Sequence, residues 1–394
     1  MAFQPLAGVR VLDVTSSLAG PYCTQILSAL GGDVVKVERP DGGDETRRWS
    51  PPTWGDDGVL FLSANAGKRS LAIDLTRPEG LEALRALAAR SDVVVQGLRP
   101  GVAERRGLGY AALRERNPRL VYCSISGYGR SGPLAERAGY DPLLQAETGI
   151  MSVTGETDGP PVRVGVSLID QGTGVWAALS IVAALHEGVG RELDLSLFET
   201  GVSLVPYHVM AYLATGRAHG RHGTAFPLIA PYQSFAARDG ELMVATPNDR
   251  LFAALLAALG LPHDARFATN PDRVAHRDEL VALLAARFAE ENVDTWVERL
   301  DAAGVPVARV NDVGRVAEHE QTRALGLLQP LPHASAPDLV GVAPPLSVDG
   351  ERPLHRSAPP RLGEHTAEVL AEAGYSRGDV ERLFAAGVVA DPAR

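Results

Sequence analysis

Short β-rich runs alternate with helical segments through the first third of the chain, and this alternation limits the fold more than any other feature. Residues 9–14 (VRVLDV) read as a strand that runs into a Thr-Ser-Ser-Leu-Ala-Gly-Pro loop, and residues 22–30 carry a helical pattern. A second strand at 33–38 follows at once, then a strand at 71–75, a helix at 80–90, and strands at 92–96 and 120–125. Strands separated by helices predict an α/β fold with a mostly parallel sheet covered on its faces. Ligands bind beyond the carboxyl ends of such strands, so the loops at 15–21, 39–48, 97–106 and 126–133 are the expected binding loops.

The texture changes near residue 228. Strand-like segments at 232–236, 242–245 and 305–310 accompany helices at 251–259, 279–288 and 293–303, which predicts a second, smaller α/β domain. After about residue 325 the chain is Pro-rich, with a final helix expected at 365–373. The expected division is a large domain over 1–200, a linker over 201–227, a small domain over 228–325 and a C-terminal part over 326–394.

Charge narrows the partners. Thirty-eight Lys plus Arg against 48 Asp plus Glu give a formal charge of -10, which argues against a general nucleic-acid surface or a polybasic membrane patch. An anionic ligand must then meet a local basic pocket. The apolar run at 175–185 is shorter than the ~20 residues that cross a bilayer, so a buried helix and no membrane are expected. The start, MAFQPLAGVRVLD, has no charged segment leading into a long apolar one, so a secretory leader is not expected and the cytoplasm is the expected compartment. Cys23 and Cys123 stand alone, which suggests neither a disulfide framework nor a zinc site.

Asp170 lies in VGVSLIDQGTGVWAALSIVAALHEG, where a strand-like run meets a Gly-spaced turn and a long apolar helix. One reading is a helix N-cap, for which Asp is favoured. The other is a carboxylate kept ionised by the helix dipole, with Gly172 and Gly174 allowing backbone N–H groups to approach a substrate oxygen, an arrangement suited to attack on an acyl carbon. The local pattern leaves both open. Arginines gather in the binding loops: Arg39, Arg47 and Arg48 after one strand, Arg99, Arg105 and Arg106 after another. Such a group is either a cradle for phosphates or a solvated surface, and Lys68-Arg69 carries the same ambiguity. GYGRSG at 127–132 meets the GxGxxG spacing, but too little room for a helix follows, so it reads as a turn. No HExxH or GxSxG signature occurs, and the two histidines of His219-Gly-Arg-His read as a solvated loop.

Several segments, taken in order, resemble family III coenzyme A transferases, the family of formyl-CoA and carnitine CoA transferases that also contains the α-methylacyl-CoA racemases. They are PLAGVRVLDVT, AGPYCTQILSALGGDVVKVERPDGGDETR, NAGKRSLAIDL, RPGVAERRGL, NPRLVYCSISGYGRSGP, GYDPLLQAETGIMSVTG, DQGTG and RLGEHTAEVL, and they span nearly the whole chain. The resemblance implies a Rossmann-like large domain built from both chain ends, a smaller domain, and a homodimer of two interlinked ring-shaped subunits. It places Asp170 on the catalytic aspartate, which would form first a mixed anhydride and then an aspartyl-CoA thioester. Arg39, Asp74, Leu75, Leu98, Arg99, Arg105 and Tyr140 fall on the CoA contacts. Coenzyme A is then a substrate together with a small carboxylic acid, and no further cofactor is expected.

Two departures bear on the acid. Formyl-CoA transferases carry a Gln where this chain has Leu18, and the region after Tyr232 lacks their long glycine-rich lid. A carnitine-type or dicarboxylic substrate is therefore expected in place of formate or oxalate. The racemases carry a His where this chain has Tyr140. A racemase using Asp170 as an acid/base, and a CoA-binding protein without chemistry, are the alternatives.

Overall fold

A computed structural model describes residues 3–391. The described residues form two compact units, one of residues 3–150, 164–206 and 320–391, the other of residues 151–163 and 207–319. Residues 151–163 thus join the second unit, and the segment expected as a linker carries a helix, Pro206–Thr215.

The large unit begins with β1 (Arg10–Val14), α1 (Ala19–Ala29) and β2 (Asp33–Glu38), followed by α2 (Val59–Ala64), β3 (Arg69–Ile73) and α3 (Pro78–Ala88). β4 (Val93–Gln96), α4 (Val102–Arg105), β5 (Val121–Ser126), α5 (Asp141–Glu147), α6 (Leu168–Glu187), β6 (Arg191–Ser196) and α7 (Leu197–Ser203) continue it. Side chains alternate across the strands, so Leu12, Val94 and Tyr122 pack into one apolar layer while Val11, Val93, Val95 and Cys123 pack into the other. Both faces are covered, the condition under which parallel strands become near-continuous apolar runs.

Strands β3, β2, β1, β4, β5 and β6 pair in that order and in parallel. The chain winds outward from β1 through β2 to β3, then returns to lay β4 on the other side of β1. The order therefore reverses between β1 and β4, where Val11 pairs with both Val34 and Val93. A crevice opens at such a reversal because the flanking connections diverge to opposite faces.

The second unit carries α8 (Pro206–Thr215), β7 (Tyr232–Ala237), β8 (Gly240–Ala245), α9 (Asp249–Leu259), α10 (Arg277–Phe288), α11 (Val293–Ala302) and β9 (Val307–Arg309). β7, β8 and β9 form an antiparallel sheet whose apolar side packs on Leu255, Leu284, Phe288 and Trp296. The chain does not stop at a helix near 373. After α12 (Thr366–Glu372) come α13 (Arg377–Ala385), started by a Ser376–Asp379 capping box, and β10 (Val389–Ala390), which pairs antiparallel with β3.

α6 also differs from expectation. It has 20 residues, enough by length and apolar composition to cross a membrane, so the argument from a short apolar run does not hold. One face packs in the core, with Ile169, Ala177, Ala178, Ile181 and Ala184 buried in the layer that contains Cys23 and Leu27 of α1, while Val175, Trp176 and Leu179 on the other face are exposed, so the helix is only partly buried.

Candidate active site

Two cavities open at the crevice between β1 and β4. The first, about 410 Å³, is lined by Asp170, Tyr140, Arg99 and the first turn of α1. The second, about 390 Å³, is lined by Arg39, Asp74, Leu75 and Arg106. Thr15, Ser16, Glu45, Gly97 and Leu98 line both, so the two lie side by side across the strand ends.

A buried ionic framework holds the loops that separate them. Lys68 Nζ lies 3.1 Å from Asp13 Oδ2 and donates at 2.8 Å to the Pro21 carbonyl and to Asn65 Oδ1. Lys36 Nζ lies 2.9 Å from Asp44 Oδ2 and donates to the Thr15 carbonyl at 3.1 Å, tying the loop after β1 to the loop after β2. Burial pushes the Lys68 ammonium down to about 8, with Asp13 opposing it. Removing one member of such a pair leaves a buried charge alone at a cost of about 3–5 kcal/mol, so these loops cannot drift independently. Ser17 takes a left-handed conformation with φ of 65°, uncommon for a side chain with a Cβ, and its Oγ donates to Glu45 at 2.8 Å.

This framework uses cations that the sequence grouped with the binding arginines. Arg47 is buried: it donates to both Glu38 oxygens at 2.7 and 2.8 Å and to Asp57 at 3.0 Å, and its guanidinium stacks on Phe61. Lys68 is likewise buried, and Arg69 is held by Asp33, Glu368 and Glu372. None of the three remains to cradle a phosphate. Of the residues expected at the site, Arg99, Tyr140 and Asp170 line the first cavity, Arg39, Asp74 and Leu75 the second, and Leu98 both. Arg105 lines neither cavity and folds its guanidinium against Gly101, while its neighbour Arg106 takes a place beside Asp74.

Asp170 is the third residue of α6, so it is not the N-cap, and Ser167 at the cap makes no side-chain capping bond. Gly172 and Gly174 lie within the helix, where their N–H groups belong to intrahelical bonds and form no oxyanion site. Gly174 serves packing: a Cβ there would stand 2.8 Å from the Ala19 carbonyl oxygen, so only glycine lets α1 and α6 approach backbone to backbone.

The cap of α6 comes from another helix. Asp141, at the start of α5 and 2% exposed, accepts the Ile169 N–H at 2.8 Å and the Asp170 N–H at 3.2 Å on one oxygen, and Gln145 Nε2 at 2.6 Å on the other. The first-turn donors that were expected to favour an Asp170 anion are thus occupied. Burial, and secondly the charge of Asp141, push the Asp170 carboxyl from 3.8 up to about 7. The expectation that the helix dipole keeps this group ionised is therefore reversed. Sequence reading passed over Asp141 although it stands in the GYDP segment, where Asp-Pro in a first helical turn is the visible signal.

A carboxylate of raised basicity lining one cavity, beside a second cavity with two arginines, suits covalent chemistry on one end of a long polyanionic substrate. Proteins similar to this chain are named for CoA transfer. Succinyl-CoA:glutarate CoA-transferase of Mus musculus is 38% identical, covering 98% of this chain and 91% of that protein. Acetyl-CoA:oxalate CoA-transferase of Acetobacter aceti is 37% identical over 93% of this chain and 95% of that protein. The crystal structure of a CAIB/BAIF family protein from Brucella suis superposes with a TM-score of 0.84 at 38% identity, covering 94% of this chain and 99% of that one. The profile of CoA-transferase family III matches residues 6–366, and with that match across nearly the whole sequence the chain belongs to this family and is an enzyme that transfers CoA.

Proposed function

We propose that the enzyme moves CoA from a short dicarboxylic acyl-CoA to a free dicarboxylic acid, with Asp170 as the nucleophile. One observation carries the reading: Asp170 lines one cavity and the arginines Arg39 and Arg106 line the adjacent one, with Gly97 and Leu98 lining both. The phosphates of CoA lie toward the arginines, and the thioester reaches Asp170. An Asp170 oxygen attacks the thioester carbon, the C–S bond breaks, and CoA leaves as a thiolate from a mixed anhydride. The thiolate then attacks the Asp170 carbonyl, which releases the donor acid and leaves an aspartyl-CoA thioester. The acceptor carboxylate attacks that thioester, and returning CoA completes the exchange. Ala19 and Gly20 of the first turn of α1 line the same cavity, and their N–H groups, which precede the first intrahelical bond, serve the developing oxyanion.

The mouse relative is named for succinyl and glutaryl substrates, which favours the dicarboxylic branch over the carnitine-type one. Oxalate, against which the sequence argued, is included in the test because the Acetobacter relative is named for it. Exposed apolar side chains support a second proposal, a homodimer: Val175, Trp176 and Leu179 on α6 of the large unit, and Tyr207, Met210, Tyr212 and Leu213 on α8 of the second.

The test incubates the protein with acyl-CoA donors and a panel of dicarboxylic, monocarboxylic and carnitine-type acids, following new thioesters by mass spectrometry. Trapping should yield CoA on the Asp170 peptide, absent from Asp170→Ala. Wild-type exchange by the Ala variant would remove the nucleophile assignment. In D2O, deuterium at the α-carbon of a 2-methylacyl-CoA without exchange would move the chain to the racemase branch.

A further inference from the structure

We infer that Asp141 is the positioning residue of this site: its buried carboxylate fixes the backbone of the nucleophile and holds a second negative charge beside it. The inference rests on the Asp170 reading. Asp141 accepts the N–H groups of Ile169 and Asp170 on a single oxygen, so the first turn of α6 is bolted to the first turn of α5. Its other oxygen takes Gln145 Nε2, and Gln145 Oε1 accepts the Val164 N–H at 2.8 Å, which secures the segment entering α6. Three N–H donors on one buried side chain match an ionised carboxylate, which accepts at both oxygens and donates at neither.

The consequence is electrostatic as well as geometric. Two carboxylates on adjacent helix starts repel, and the repulsion ends when the Asp170 charge departs with the thiolate as the neutral anhydride forms. Asp141 therefore raises the energy of the attacking anion more than that of the state it attacks toward, which lowers the barrier. Glu45, Glu136, Arg99, Arg137 and Tyr140 also face this cavity, and Arg137 is held by Glu147 at 2.7 Å. Of the neighbouring charges it is Asp141 that, after burial, moves the Asp170 carboxyl upward.

The experiment compares single-turnover formation of the Asp170 adduct against pH in wild type, Asp141→Asn and Asp141→Glu. Wild type should lose rate below about pH 7, where Asp170 takes up a proton. In Asp141→Asn the acid limb should move about one pH unit lower, and the plateau rate should fall about tenfold or more. Asp141→Glu keeps the charge and displaces it, so its limb should stay near the wild-type position while its plateau falls. A limb unmoved in Asp141→Asn, or moved equally in Asp141→Glu, overturns the inference. If Asp141→Asn fails to fold, Gln145→Leu removes one donor and leaves the charge; a limb displaced downward there by a full unit also overturns it. Absence of any adduct in wild type would defeat the nucleophile reading itself and this inference with it. A wild-type adduct with an unchanged Asp141→Asn profile defeats the role of Asp141 alone.

Discussion

Replacing Asp170 with Asn should make the protein more stable as it becomes inactive, and the gain should grow with pH. The carboxyl titrates near 3.8 in an unfolded chain and at about 7 in the fold, where burial and then Asp141 oppose its charge. For an acid whose folded value is raised, the native state binds the proton more tightly. Ionisation therefore costs native stability, with the cost absent below the unfolded value and complete above the folded one. A difference of about three pH units corresponds to about 4 kcal/mol at pH 8, falling to about 2 kcal/mol at pH 5. Asn has the shape of the protonated acid and carries no charge at any pH, so it escapes the whole term. Urea unfolding of wild type and Asp170→Asn at several values between pH 5 and 8, with slopes compared to show the same unfolding event, measures the difference. An Asn variant that is less stable at pH 8, or whose advantage is flat across this range, would refute the strained-carboxylate argument. The same result bears on function, because an active site that holds a disfavoured anion sets stability against activity.

Arg39→Ala and Arg106→Ala should raise the Michaelis constant for CoA esters roughly tenfold or more while leaving turnover within a few-fold, since contacts remote from the acyl carbon act alike in ground and transition states. Equal losses with truncated thioesters that lack the nucleotide phosphates would count against that assignment. Mixing differently tagged preparations under native conditions should give no doubly tagged dimer over hours, the behaviour of interlinked subunits. Rapid exchange would leave an ordinary dimer at most.

Arg39 and Arg47 show what sequence reading separates and what it cannot. They stand eight positions apart after the same strand and look equivalent, yet Arg47 is enclosed by Glu38, Asp57 and the Phe61 ring while Arg39 is exposed at the second cavity. No local pattern distinguishes them, because Asp57 and Phe61 reach Arg47 only after the chain has turned back on itself. Asp170 is a second case. Resemblance pointed to it as a nucleophile, but its protonation depends first on burial and then on Asp141, 29 residues earlier and on a different helix. Gly174 is a third: read as part of a turn, it is a helix residue whose missing Cβ admits the backbone of α1.

The α/β class, most strand positions in the large unit and the loops that line the two cavities were determined by the sequence alone. The period of the apolar residues decides strand against helix, and a parallel sheet brings its carboxyl-end loops to one edge whatever their exact content. The strand order, the division of the basic residues between framework and cavity, and the raised basicity of Asp170 were decided by the tertiary structure. Each depends on which distant side chains share a desolvated volume, where a neighbouring charge or a missing Cβ has large effects that it lacks in water.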